Sequence, residues 1–166
     1  MVETDVDTLK SCVAWLYTGV LGTDCGIEMM DSYVFADKAD IIALRREVTN
    51  SLQKVCDKDE TIFLLIPYGF IKKAYKLLPP SSPLISFLLE THIHHWAPTD
   101  DYEEISYHSV ELAPRKFLHA VMKGMSSRID FPETPCVCCT NLCEYHEHEN
   151  EQERDASESF ASVSQQ

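Results

Sequence analysis

The chain has 166 residues, 45% of them hydrophobic and 25% charged, and carries a formal net charge of −13. That balance supports a buried core and excludes wholesale disorder. The negative charge argues against nucleic acid and against an anionic membrane surface, both of which call for clustered Lys and Arg; the five scattered glycines build no phosphate-cradling loop.

The acidic start, Met-Val-Glu-Thr-Asp-Val-Asp, lacks the apolar stretch of a secretory signal. The longest apolar runs, such as Ile62 to Ile66, are about a quarter of a membrane span. Both features point to an intracellular chain, cytoplasmic or nuclear. The seven cysteines then read as free thiols or metal ligands rather than disulfides. Cys12, Cys25 and Cys56 are scattered, whereas Cys136, Cys138, Cys139 and Cys143 crowd into eight residues.

In chain order, Val6, Leu9, Val13, Leu16 and Tyr17 repeat at helical spacing. Asp5 suits the N-cap of that helix and Gly19 its C-terminal end. A second helix is predicted over Ile27–Lys38. Asp40 can cap a third, in which Ile41, Leu44, Val48, Leu52 and Val55 recur every three or four residues. Pro67 opens a fourth, with Phe70, Ile71, Ala74, Tyr75 and Leu78 on one stripe, and Pro79-Pro80-Ser81-Ser82 ends it. Ser82-Pro83 starts a fifth with Ile85, Leu88, Leu89, Ile93 and Trp96 in line. Residues 98–113 read as an acidic loop with a short element near its end. Pro114 opens a sixth helix bearing Phe117, Leu118, Val121, Met122 and Met125, and Gly124 weakens its last turn. Beyond Ser127 the helical pattern stops. Residues 144–166 hold seven acids and one Arg and read as a disordered tail. The predicted fold class is all-α.

The order of segments carries a family resemblance. CVAWLYTGVL (Cys12–Leu21) and YVFADKADIIALRREVTNSL (Tyr33–Leu52) resemble the C-terminal half of a BTB/POZ domain, most closely the large filamentous-fungal group. AYKLLPPSSPLISFLLE (Ala74–Glu90), LAPRKFLHAVMKGM (Leu112–Met125) and CEYHEHE (Cys143–Glu149) resemble that group's downstream segments. The resemblance implies a partial BTB/POZ-like helical region over residues 1–56 and a BACK-like helical extension over 57–127. A Cys/His-rich segment over 128–149 and a disordered acidic tail over 150–166 follow. It also implies that the strands and helices of the domain's first half, with most of the homodimer interface, are missing before residue 6. Apolar surface around Trp15 and Tyr33 is then left open, and an open patch implies a partner.

Three groups of residues bear on chemistry. Cys136, Cys138, Cys139, Cys143, His146 and His148 offer the thiolates and imidazoles that zinc prefers. Their spacing is not that of a zinc finger, and Cys-x-Cys-Cys is cramped for a tetrahedron. The alternative is a set of reduced thiols in a flexible tail, with Cys143, Tyr145 and His146 packed back on the helices. His92, His94 and His95 read as a solvated helix face, as do the pairs Arg45–Arg46 and Lys72–Lys73. The aromatics Trp15, Tyr17, Tyr33 and Phe35 read as core or as an interaction surface. No nucleophile elbow or Cys–His pair suggests an enzyme.

The expectation is a non-catalytic protein-interaction module, an adaptor or scaffold, with docking through Val6, Leu9, Val13, Trp15, Leu16, Tyr17, Tyr33 and Phe35. Its partner would be a protein: a second copy or, as the resemblance implies, a cullin-type scaffold. No cofactor is required. Zinc is the candidate if the Cys/His cluster binds metal, which would make the chain a small zinc-stabilised regulatory protein.

Overall fold

The computed structural model describes residues 6–22, 26–56, 66–97, 110–130, 136–148, 151, 152 and 154. In chain order they form α1 (Val6–Thr18), α2 (Gly26–Ala39), α3 (Ile42–Cys56), α4 (Tyr68–Leu77), α5 (Pro83–His95), a 3-10 turn (Val110–Leu112), α6 (Arg115–Asp130), α7 (Val137–Thr140) and a second 3-10 turn (Leu142–Tyr145). No strand occurs among the described residues, so the fold class is all-α as expected.

Two helices lie at the centre because they are apolar on more than one side. α2 buries Met29, Met30, Tyr33, Val34 and Ala36, and α5 buries Leu84, Ile85, Phe87, Leu88, Thr91, His92 and Ile93. α1 and α3 pack on α2, and α4 bridges α2 and α5. α6, α7 and the second 3-10 turn close over α5. Phe117 of α6 enters the core edge-on against Tyr75 and Tyr68. Among the described residues, no helix is long and apolar enough to cross a membrane.

The ends of the helices follow the local chemistry with some differences. Gly19 takes a left-handed φ of 70° and returns its N–H to the Trp15 carbonyl at 2.7 Å, ending α1 as predicted. Asp5 and the run Ile62–Leu65 lie outside the described residues, as do the acids Asp100–Glu104. Asp40 does not cap α3. It adopts a left-handed φ of 53° that closes α2, and its carboxylate turns to Arg45. Ser82 holds the N-cap position of α5 without capping it through its side chain. Its backbone carbonyl starts the helix, and its hydroxyl lies 3.4 Å from that of Tyr33.

The C-terminal part departs most from the sequence reading. α6 continues past Ser127 to Asp130, because α5 supports its last turns. Residues 136–148 are neither patternless nor a free tail. They form α7 and the second 3-10 turn, and Tyr145 is buried edge-on against Phe87, with ring centroids 5.4 Å apart. Of the segment 150–166, the described residues 151, 152 and 154 are helical.

Candidate functional site

α5 ends in Thr-His-Ile-His-His, and its helical period sends the three imidazoles to different places. None of them forms a solvated face. His92 is buried between Tyr68 and Phe117, with its Nδ1–H donating to the Leu88 carbonyl at 2.8 Å. His94 lies 3.4 Å from the Glu90 carboxylate. Burial and the Arg128 guanidinium hold its pKa below the usual imidazole value, against the pull of Glu90. His95 turns instead to the cysteines.

Residues 136–140 fold as one helical turn. Thr140 returns both its N–H and its hydroxyl to the Cys136 carbonyl, at 3.1 and 2.9 Å. This turn gathers three sulfurs on His95. Its Nε2 lies 3.3 Å from Cys136 Sγ, 3.4 Å from Cys138 Sγ and 3.2 Å from Cys139 Sγ. Cys138 and Cys139 sulfurs are 3.9 Å apart. One ring nitrogen carries at most one proton and cannot satisfy three sulfurs by hydrogen bonding. A cation among them can. Tetrahedral zinc, with Zn–S near 2.3 Å and Zn–N near 2.0–2.1 Å, sets S···S edges of about 3.8 Å and N···S edges of about 3.6 Å. The three N···S edges, at 3.2 to 3.4 Å, and the Cys138–Cys139 edge, at 3.9 Å, lie near those values. The exception is Cys136–Cys138, whose sulfurs are joined as a disulfide. This corrects the expectation of free thiols throughout, and a joined pair cannot donate two thiolates. The four-ligand arrangement therefore belongs to the reduced chain, in which that edge opens.

A second group lies beyond. Cys143 Sγ, a His146 nitrogen and a His148 nitrogen all lie within 4.8 Å of one another. The backbone is extended at His146, so alternate residues project to opposite sides. The His146 and His148 rings meet edge to face with centroids 5.8 Å apart, whereas Glu147 pairs with Arg45. Arg45 is buried. It also donates to the Ala36 carbonyl at 3.2 Å and to the Asp40 carboxylate at 3.3 and 3.4 Å. Burial works against its charge, and the Glu147 and Asp40 carboxylates more than offset that, raising its pKa. Arg45 is thus a structural cation rather than a member of a solvated basic pair. Burial first, then His148 and Arg46, lower the His146 pKa to about 4, so this imidazole is neutral at neutral pH. A cavity of about 300 Å³, lined by Cys143, Glu144, His146, His148 and Arg154, opens onto the group.

The six sequence-predicted ligands therefore divide into two groups of three, and the first gains His95, which the sequence reading left among solvated residues. The signal was available: a helix as apolar as α5 is enclosed, and a histidine at its end needs a partner.

The predicted interaction residues also divide. Tyr33 is core, and Trp15 and Phe35 are half-buried against it. Tyr33 offers no open surface, whereas Trp15 and Phe35 keep part of theirs. α1 meets α2 through Thr8 and Cys12, small side chains that permit close approach. Its apolar stripe points the other way: Val6, Leu9, Val13, Leu16 and Tyr17 are exposed, Leu16 to 66% and Tyr17 to 87%.

Fold and site together define an all-helical protein with two Cys/His groups that could hold metal ions. Comparison with protein-family models, with curated proteins and with solved structures returns no match.

Proposed function

We propose that this chain is a non-catalytic protein-interaction module that pairs with a second copy of itself through α1. The observation that supports it is the outward stripe Val6, Leu9, Val13 and Leu16, spaced three, four and three residues apart. This is the spacing of a coiled-coil seam, with valine at one repeating position and leucine at the other, a combination that favours two-stranded association. The resemblance of residues 12–52 to the C-terminal half of a BTB/POZ domain supports the same class of function, and with it an intracellular adaptor. Light scattering coupled to size exclusion, over a concentration series of the full chain, tests the pairing. The wild type should shift from monomer to dimer with concentration, and Leu9→Glu/Leu16→Glu should remain monomeric. A wild type that is monomeric throughout, or a variant that still dimerises, overturns this reading of α1.

A second reading is compatible with the first and rests on its own observation. The convergence of His95 Nε2 with the sulfurs of Cys136, Cys138 and Cys139 favours a structural zinc centre in the reduced chain. Four protein ligands close the coordination sphere, the arrangement of sites that stabilise rather than catalyse. Zinc there would bind the C-terminal segment to the end of α5. His95→Ala should lower the zinc content of the reduced chain by one ion, measured by mass spectrometry of the metal; an unchanged content overturns this centre.

A further inference from the structure

We propose that Cys143, His146 and His148 form a second zinc centre, separate from the one at His95. Three observations carry it, and none depends on the first centre. Their ligand atoms converge within 4.8 Å. Both ring nitrogens of His146 and both of His148 are buried and have no hydrogen-bond partner. A neutral imidazole has one donor and one acceptor nitrogen, and leaving both unmet in a desolvated place costs free energy. A metal ion takes up the lone pair of each ring at once. The third observation is the way the two rings are held. Glu147, between them, is fixed from the opposite side by the buried Arg45, itself anchored to the Ala36 carbonyl at the end of α2. An ion pair in the body of the fold thus anchors the stretch of backbone that carries both imidazoles.

Zinc suits this donor set, one thiolate and two imidazoles. Binding takes both imidazoles neutral and releases the Cys143 thiol proton to solvent. Among the described residues three ligands converge, and all three line the cavity bordered by Glu144 and Arg154. The stretch from Cys136 to His148 is then tied twice: α7 by the first centre to α5, and the segment after it by the second to its own extended end.

Metal content and thiol protection together test this. The full chain is loaded with zinc in reducing buffer, desalted, and its zinc-to-protein ratio measured. The wild type should hold two ions, and His146→Ala/His148→Ala and His95→Ala one each. If the His146/His148 variant keeps the wild-type ratio, the second centre is overturned. If His95→Ala alone keeps it, the first centre fails and the second stands. Alkylation of Cys143 by iodoacetamide, followed by mass spectrometry, needs no variant. Free zinc at about ten times its dissociation constant should slow that reaction roughly tenfold by mass action. An alkylation rate at Cys143 indifferent to zinc overturns the proposal.

Discussion

Gly124 lies inside α6, where an added Cβ would stand 2.7 Å from Ile93 Cγ1 and 3.3 Å from its Cγ2. The glycine that weakens the helix by composition is thus what lets α6 approach α5. In an exposed helix, alanine for glycine gains about 1 kcal/mol. Here the methyl group meets Ile93 Cδ1 first and then both branches at its Cβ, so turning the end of the side chain alone does not clear it, and overpacking of this kind costs about 1–3 kcal/mol. Gly124→Ala should therefore destabilise the protein in urea unfolding, with the slope of the transition unchanged. In an Ile93→Ala background the same substitution should become neutral or stabilising, since the obstructing atoms are gone. A stabilising effect in the wild-type background would contradict the close approach. Other single residues were harder to read. Arg45, His92 and His95 look solvated one at a time, because a helical period assigns faces without saying what lies opposite. Arg45 is buried only because Asp40 and Glu147 meet it, the latter from more than a hundred residues away.

At the scale of elements, the helices α1 to α6 were legible because their apolar residues recur every three or four positions, and Pro67, Ser82-Pro83 and Pro114 mark their starts. What periodicity does not supply is which side of a helix is covered. In α1 the apolar stripe predicts a helix correctly, yet Thr8 and Cys12 face α2 and the stripe faces outward. Small side chains let two helix axes come near, and that advantage is invisible to a hydrophobicity count. α7 was illegible for a different reason. One turn of helix is too short to show a period, and its stability comes from Cys138 being buried against α5 and from Thr140 closing on Cys136. The cysteine density flagged the segment, but density alone could not divide six candidate ligands into two groups or bring in His95 from forty residues upstream.

Over the whole molecule, the C-terminal segment is held to the helical body in ways that respond differently to oxidation. Tyr145 against Phe87 and Glu147 against Arg45 are indifferent to it. The proposed His95 centre would not be, because Cys136 and Cys138 cannot serve as two thiolate ligands while they are joined as a disulfide. Diamide tests this exclusion on the zinc-loaded chain. Two thiolates give up two electrons in forming the Cys136–Cys138 bond, and diamide takes those electrons with two protons from solvent to become a hydrazine. His95 and Cys139 alone make an incomplete site, so one zinc should leave per disulfide formed, followed with a chromogenic zinc indicator while mass spectrometry identifies the pair. Helical circular dichroism should change little, since Cys138 is the one of these thiols within the buried core, the helices α1 to α6 pack through other residues, and Tyr145 and Glu147 still hold the segment. Formation of the Cys136–Cys138 disulfide with no release of zinc would remove both cysteines from the ligand set. Loss of helix in step with zinc would show instead that the metal supports the helical body itself, and that the packing of α2 and α5 through α4 is insufficient without it.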